Sequence, residues 1–315
     1  MTVSTAADRG DHCRVLSLDG GGAKGFYTLG VLKEVEAMIG CRLSERFDLI
    51  FGTSTGAIIA ALAALGRSVD EIHELYKQHV PTVMRARSPG AKSRALEVLA
   101  NTIFDGARFE DVTTGIGIVA TRWDFETPMI FKASVTQAHG RRATFVPGFG
   151  CSLSDAVQAS CSAYPFFDRK LITTASGDHV ELIDGGYCAN NPTLYAIADA
   201  VMALHKDYSD LRVLSIGVGV YPEPKRFGWP WLVRRFVSVR LLQKTLNINT
   251  FSMEQLRSVL FKQVPTLRIN DTFERPEMAT DLMEHNLNKL NLLYQRGRES
   301  FAKHETELKA LLAEV

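Results

Sequence analysis

The pentapeptide Gly52-Thr53-Ser54-Thr55-Gly56 follows a short apolar run and precedes an alanine-rich one. A serine between a strand and a helix sits on a tight turn, its hydroxyl exposed at the end of the sheet and near the positive pole of the helix dipole. Small neighbours relieve the crowding of such a turn. That is the setting of a nucleophile. The plainer use of the same residues is a glycine turn with Ser54 as helix cap. A second stretch, Asp19-Gly20-Gly21-Gly22-Ala23-Lys24-Gly25, again joins an apolar run to a helical one. N–H groups of consecutive glycines can converge on a developing oxyanion, and losing one such donor costs about 10²–10³ in rate. The spacing of Gly20, Gly22 and Gly25 also matches a dinucleotide fingerprint, which wants an acidic residue at the end of the next strand. Gly52-Thr53-Ser54 stands there instead. The P-loop order fails as well, because Lys24 precedes the last glycine.

The third feature is Asp184-Gly185-Gly186, which closes a strand-like run and leads into Asn190-Asn191-Pro192. Alone, such a tripeptide is more often a turn. Beside Ser54 it offers a general base, provided its site raises a carboxyl pKa that is ordinarily about 3.9. Histidine is the usual base. Those that follow Asp184, His205, His285 and His304, lie in charged helical sequence, and His179 sits in the strand before it. A Ser–Asp dyad is therefore expected, with a Ser–His–Asp hydrolase of small esters and a non-catalytic phosphate-binding module as the alternatives. No HExxH and no pair of ligands at metal spacing occurs, so neither metal nor cofactor is expected.

These residues need elements to hold them. Strands are expected at 13–18, 47–51, 115–121, 129–134, 180–183, 213–218 and 266–269. Helices are expected at 26–39, 55–65, 69–79, 154–163, 194–205 and 231–246, with a helical tail from 277. Strand and helix alternate, the pattern of an α/β fold with a mainly parallel central sheet flanked by helices. The stretch 83–94 reads as a basic loop carrying Arg85, Arg87, Lys92 and Arg94, able to contact phosphates. Arg141 and Arg142 form a further basic pair. Prolines at 222, 224 and 230 begin a helical C-terminal part, about 222–315, whose first helix mixes Trp229, Trp231, Arg234, Arg235, Phe236, Arg240 and Lys244. Such a mixture suits an interfacial helix, although an ordinary surface helix is commoner.

The chain has 315 residues and a formal net charge of +1, which leaves no global field to recruit a nucleic acid duplex. The polar residues 1–12 hold no apolar signal segment and are expected to be disordered. Five scattered cysteines without CxxC spacing favour a reducing, cytoplasmic setting.

DGGGAKG at 19–25, GTSTG at 52–56 and DGG at 184–186, in this order, resemble the motifs of the patatin-like phospholipases. SCSAYPFF at 160–167 and SIGVG at 215–219 resemble two further segments of that family. The resemblance spans about 15–220. It implies metal-independent hydrolysis of acyl esters in membrane phospholipids through an acyl-enzyme. It also implies Ser54 as nucleophile, Asp184 as base and an oxyanion loop of Gly20, Gly21, Gly22 and Gly25. Asp19, Lys24, Gly52, Gly56, Gly185 and Gly186 would support them. Lys24 stands where many members have arginine, and so lacks a planar fork. The tail resembles, more loosely, the compact bacterial patatin-like effectors that cyclic oligonucleotides switch on in anti-phage (CBASS) systems. That would bring a cyclic di- or trinucleotide activator, a homo-oligomer on activation, and work at the inner face of the membrane. An ungated lipase of the same family is the alternative.

Overall fold

The computed structural model describes residues 12–140, 142–224 and 230–313, without the side chains of 230–239. Residues 1–11, Arg141, Trp229 and the side chains of Trp231, Arg234, Arg235 and Phe236 lie outside the described residues. The elements that matter here are β1 (Cys13–Leu18), α1 (Gly25–Ile39), β2 (Leu49–Thr53), α2 (Thr55–Ala64), α3 (Val69–Arg85) and α4 (Pro89–Phe104). Then come β3 (Gly115–Arg122), β4 (Thr127–Lys132), α5 (Leu153–Cys161), β5 (Lys170–Thr173), β6 (His179–Asp184) and α6 (Thr193–Ala198). The chain ends with β7 (Leu211–Ile216), α7 (Pro230–Leu260), β8 (Thr266–Ile269) and α8 (Leu287–Leu312).

One sheet of eight strands runs β5-β6-β3-β2-β1-β7-β8, with β4 also paired to β3. Strands β3, β2, β1, β7 and β8 are parallel neighbours, while β4 and β6 pair antiparallel with β3. The central strands are buried along their length, so they read as continuous apolar runs rather than as an alternation. Helix α2 is buried on every side, which explains why its sequence is apolar all round.

The junction that builds the site follows from register. β4 covers one edge of β3 from Gly117 to Arg122. On the opposite edge β2 ends with Thr53 facing Val119, and β6 arrives from the other direction with Asp184 facing Ala120. The C-termini of β2 and β6 thus meet head-on along one edge of β3. Ser54 and Asp184, 130 positions apart in the chain, become neighbours there.

Several expectations need correction. The basic loop at 83–94 is the last turn of α3, a short link, and the start of α4. Ser88 caps α4 by accepting from the Ala91 N–H at 3.2 Å, and Pro89 occupies its first turn. Pro89-Gly90 looks like a breaker in sequence but works as a helix start. The helix expected at 194–205 ends at Ala198 and passes into a wider turn over Asp199–Ala203. The helix expected at 231–246 runs on to Leu260, and the helical tail begins at Leu287. The C-terminal part packs into the same sheet and core. β8 extends the sheet beside β7, and Leu290, Leu293 and Phe301 of α8 join the same core as Phe26 and Tyr27 of α1.

Candidate active site

Ser54 takes φ 53° and ψ −121°, a strained backbone for a residue with a side chain. Its neighbours make the turn possible. A Cβ on Gly52 would lie 2.3 Å from the Gly56 carbonyl oxygen, and one on Gly56 would lie 2.3 Å from that of Leu18. The turn is held from outside by Ser160 of α5, whose hydroxyl accepts the Ser54 N–H at 2.8 Å and donates to the Val119 carbonyl at 2.5 Å. Ser160 therefore ties the turn to β3.

The Ser54 hydroxyl donates to Asp184 Oδ2 at 2.7 Å, and the Gly186 N–H donates to Oδ1 at 2.7 Å. Asp184 is buried, and burial pushes its carboxyl up to about 6, against the opposing pull of those two hydrogen bonds. A carboxylate in that range is mostly ionised at neutral pH yet basic enough to take a proton. Among the described residues no histidine lines the cavity at Ser54. His179 is exposed and bonds Thr173 instead.

The glycine loop lies across the mouth of this junction, with Gly21 and Gly22 beside Ser54 in the cavity wall. Gly22 adopts φ +58°, and a Cβ there would lie 2.4 Å from the Leu282 carbonyl oxygen. Not every N–H of the loop faces the serine. That of Gly20 is spent on the Asn190 carbonyl at 2.9 Å, and that of Gly25 turns back to Ala23 and Gly22. Those of Gly21 and Gly22 make no hydrogen bond among the described residues.

Three supports of the loop escaped the sequence reading. The Arg268 guanidinium of β8 grips both oxygens of the buried Asp19, one contact at 2.8 Å, and also donates to Ser215 Oγ at 2.7 Å. Its only signal was one arginine in the apolar run Thr266–Ile269. Asn190 donates to the Gly20 carbonyl at 3.2 Å and to Thr250 Oγ1 of α7 at 2.7 Å. Asn249 of the same helix accepts the Asn190 N–H at 2.8 Å. Helix α7 thereby presses on the loop and on the segment after Asp184. Lys24 is buried, and desolvation lowers its pKa to about 8 despite the nearby charges of Asp281 and Asp19.

The four basic candidates are scattered. Arg85, Arg87 and Arg94 are exposed. Lys92 is buried, and its ammonium donates to the carbonyls of Met84 at 2.6 Å and Val83 at 3.3 Å. It caps the end of α3, where helix carbonyls lack partners, and is not available to a phosphate.

The cavity above Ser54 is small, about 50 Å³, and apolar, with Leu242 and Leu246 of α7 and Leu282 and Met283 in its wall. Ligand pockets ordinarily run to roughly 300–1,000 Å³. Among the described residues no group of side chains could hold a metal ion, and no helix is long and apolar enough to cross a membrane.

A family model described as patatin-like phospholipase matches residues 16–197. The chain is 68% identical over 300 residues to a cUMP-AMP-activated phospholipase of Escherichia coli, covering 95% of this chain and 94% of that protein. It is 26% identical to a cGAMP-activated phospholipase of Vibrio cholerae, covering 66% of this chain and 64% of that one. In fold it is similar to VipD of Legionella pneumophila, with a TM-score of 0.51 at 12% identity over 96% of this chain and 67% of the other. The head-on meeting of β2 and β6, the glycine loop over it and these matches lead to one conclusion: the chain belongs to the patatin-like phospholipase family.

Proposed function

We propose that this protein hydrolyses acyl esters of membrane phospholipids with Ser54 as nucleophile and Asp184 as its base, under the control of a cyclic oligonucleotide. The observation that carries the chemistry is the 2.7 Å hydrogen bond from Ser54 Oγ to a buried carboxylate beside two uncommitted glycine N–H groups. Ser54 Oγ attacks the ester carbonyl while its proton passes to Asp184. The tetrahedral oxyanion is received by the Gly21 and Gly22 N–H groups. Collapse expels the lysolipid alkoxide, which takes the proton from Asp184 and leaves an acyl-serine. Asp184 then deprotonates a water that attacks the acyl carbon, releasing the fatty acid and restoring the serine.

The gated reading is supported by the names of the two relatives and by the cavity at Ser54, too small for a lipid acyl chain in this state. Opening requires α7 or the Leu282–Met283 turn to move. Raising a 1% active population to 99% takes about 10⁴-fold tighter binding of the activator to the open state. The resemblance to anti-phage effectors supports a role in bacterial antiviral defence, at the inner face of the membrane, with oligomerisation on activation as one way to hold the open state. Lipid contact is supported by Leu241, Ile248 and Phe251, which are 65%, 69% and 56% exposed on α7. An ungated lipase is the second reading. Release of fatty acid from mixed phospholipid vesicles, with and without cyclic UMP–AMP, separates the two. Strong hydrolysis without nucleotide, and no response to it, would remove the gate. No hydrolysis under any condition would remove the lipase.

A further inference from the structure

Among the described residues a larger space than the one at Ser54 lies elsewhere. A cavity of about 650 Å³ lies between β4, the segment 137–149 and the β5–β6 turn, with the end of β3 as part of its wall. Ligand sites of roughly 300–1,000 Å³ hold small organic molecules, so the size suits one.

Its chemistry is mixed and specific. Arg122 reaches into it from the end of β3, its guanidinium 4.4 Å over the Phe125 ring. Its Nε is buried without a hydrogen-bond partner, and it forms no salt bridge among the described residues. Lys132 and His139 also line the wall, but both are engaged by Asp199 Oδ1, each at 2.5 Å. Arg122 is thus left to face an incoming anion. The same cavity is lined by Phe145, Phe149 and Tyr195, a kind of side chain on which nucleobases stack irrespective of sequence. Asp178, tied into its turn by Ser176 at 2.7 Å, offers an acceptor to a base edge carrying an amino group. A phosphodiester flanked by two aromatic bases satisfies all of these at once.

We propose that this cavity, and not the scattered basic residues near Arg85, receives the cyclic dinucleotide, with Arg122 on a phosphodiester and the aromatic side chains on the bases. The proposal rests on the nucleotide-gated reading above. A route to the catalytic pair is built in. Arg122 pairs with Leu182 of β6, Ala120 pairs with Asp184, and the Thr121 hydroxyl donates to the Asp184 carbonyl at 3.0 Å. A ligand drawn onto Arg122 therefore pulls on the strand that positions the base.

The test uses the full chain and cyclic UMP–AMP in an equilibrium titration. Arg122→Glu should weaken binding about 100-fold or more through loss of a charge-assisted contact. Phe145→Ala should weaken it about tenfold. Both should keep the wild-type melting temperature in the absence of nucleotide, so that weaker binding reads as a lost contact. An 8-azidoadenine analogue should label peptides within 137–149 or 174–180, which needs no variant to fold. Unchanged affinity in both variants, or labelling confined to another region, would overturn the location while leaving the gate standing. If anionic phospholipid vesicles alone displaced the analogue from these peptides, the site would belong to a lipid headgroup and the proposal would fall. If the wild type bound no cyclic dinucleotide, the gate and this site would fall together.

Discussion

At the scale of single residues, the burial of Asp184 sets the behaviour of the pair. Its carboxyl must be ionised to accept the Ser54 proton, and burial holds it near 6. We expect kcat/KM on a soluble ester to rise with unit slope up to about pH 6 and to level off above it. A profile flat down to pH 4 would contradict this base. The same shift affects stability with the opposite sign to a salt bridge. The folded state resists ionising this carboxyl, so a cost appears as pH rises past the unfolded value of about 3.9 and is complete above about 6. Asp184→Asn should therefore raise the melting temperature at pH 7.5 but not at pH 4, while abolishing turnover. Ser54→Ala, Asp184→Asn and the double variant should lose similar amounts of activity, at least about 10³-fold, because the two groups act as a unit.

At the scale of elements, α7 and β8 act on the site without supplying a reacting atom. Arg268 of β8 is the only described cation hydrogen-bonded to Asp19. Arg268→Met would leave that carboxylate buried and unpaired, at a cost of about 3–5 kcal/mol. Denaturant unfolding measures it, and activity should fall with it as the glycine loop loosens. Helix α7 lines the cavity with Leu242 and Leu246 and shows Ile248 to solvent. Leu246→Ala should raise nucleotide-free hydrolysis several-fold by enlarging the cavity, against a stability cost of about 2–3 kcal/mol. Ile248→Asp should lower turnover of vesicles but not of a soluble ester. Equal losses on both substrates would place Ile248 in folding rather than in lipid contact.

At the scale of the whole molecule, the chain covers 94% of its 68%-identical relative. Strand β6 lines both cavities, with Asp184 in the small one at Ser54 and Val180 in the larger one by Arg122. The proposed mechanism uses a protein nucleophile and carboxylate, so hydrolysis should be unchanged in excess EDTA. Loss of activity restored by calcium would contradict it.

Much of the site was legible in the sequence because its parts are local. The turn around Ser54, the glycine run and the aspartate at a strand end each depend on residues within a few positions, where glycine's freedom and strand–helix spacing are visible. The expected parallel α/β sheet followed from alternation in the same way. Other features depended on tertiary register. Nothing in either segment says that β2 and β6 stop at adjacent residues of β3, Val119 and Ala120, and so bring Ser54 to Asp184. Nor could charge alone separate Lys92, folded inward onto helix carbonyls, from Arg122, left without a counter-ion. Sequence records which groups a chain carries. Partners brought up by the fold, from 8 positions away for Lys92 to 249 for Arg268, decide which N–H or guanidinium is already satisfied, and so which remains free for a substrate or a ligand.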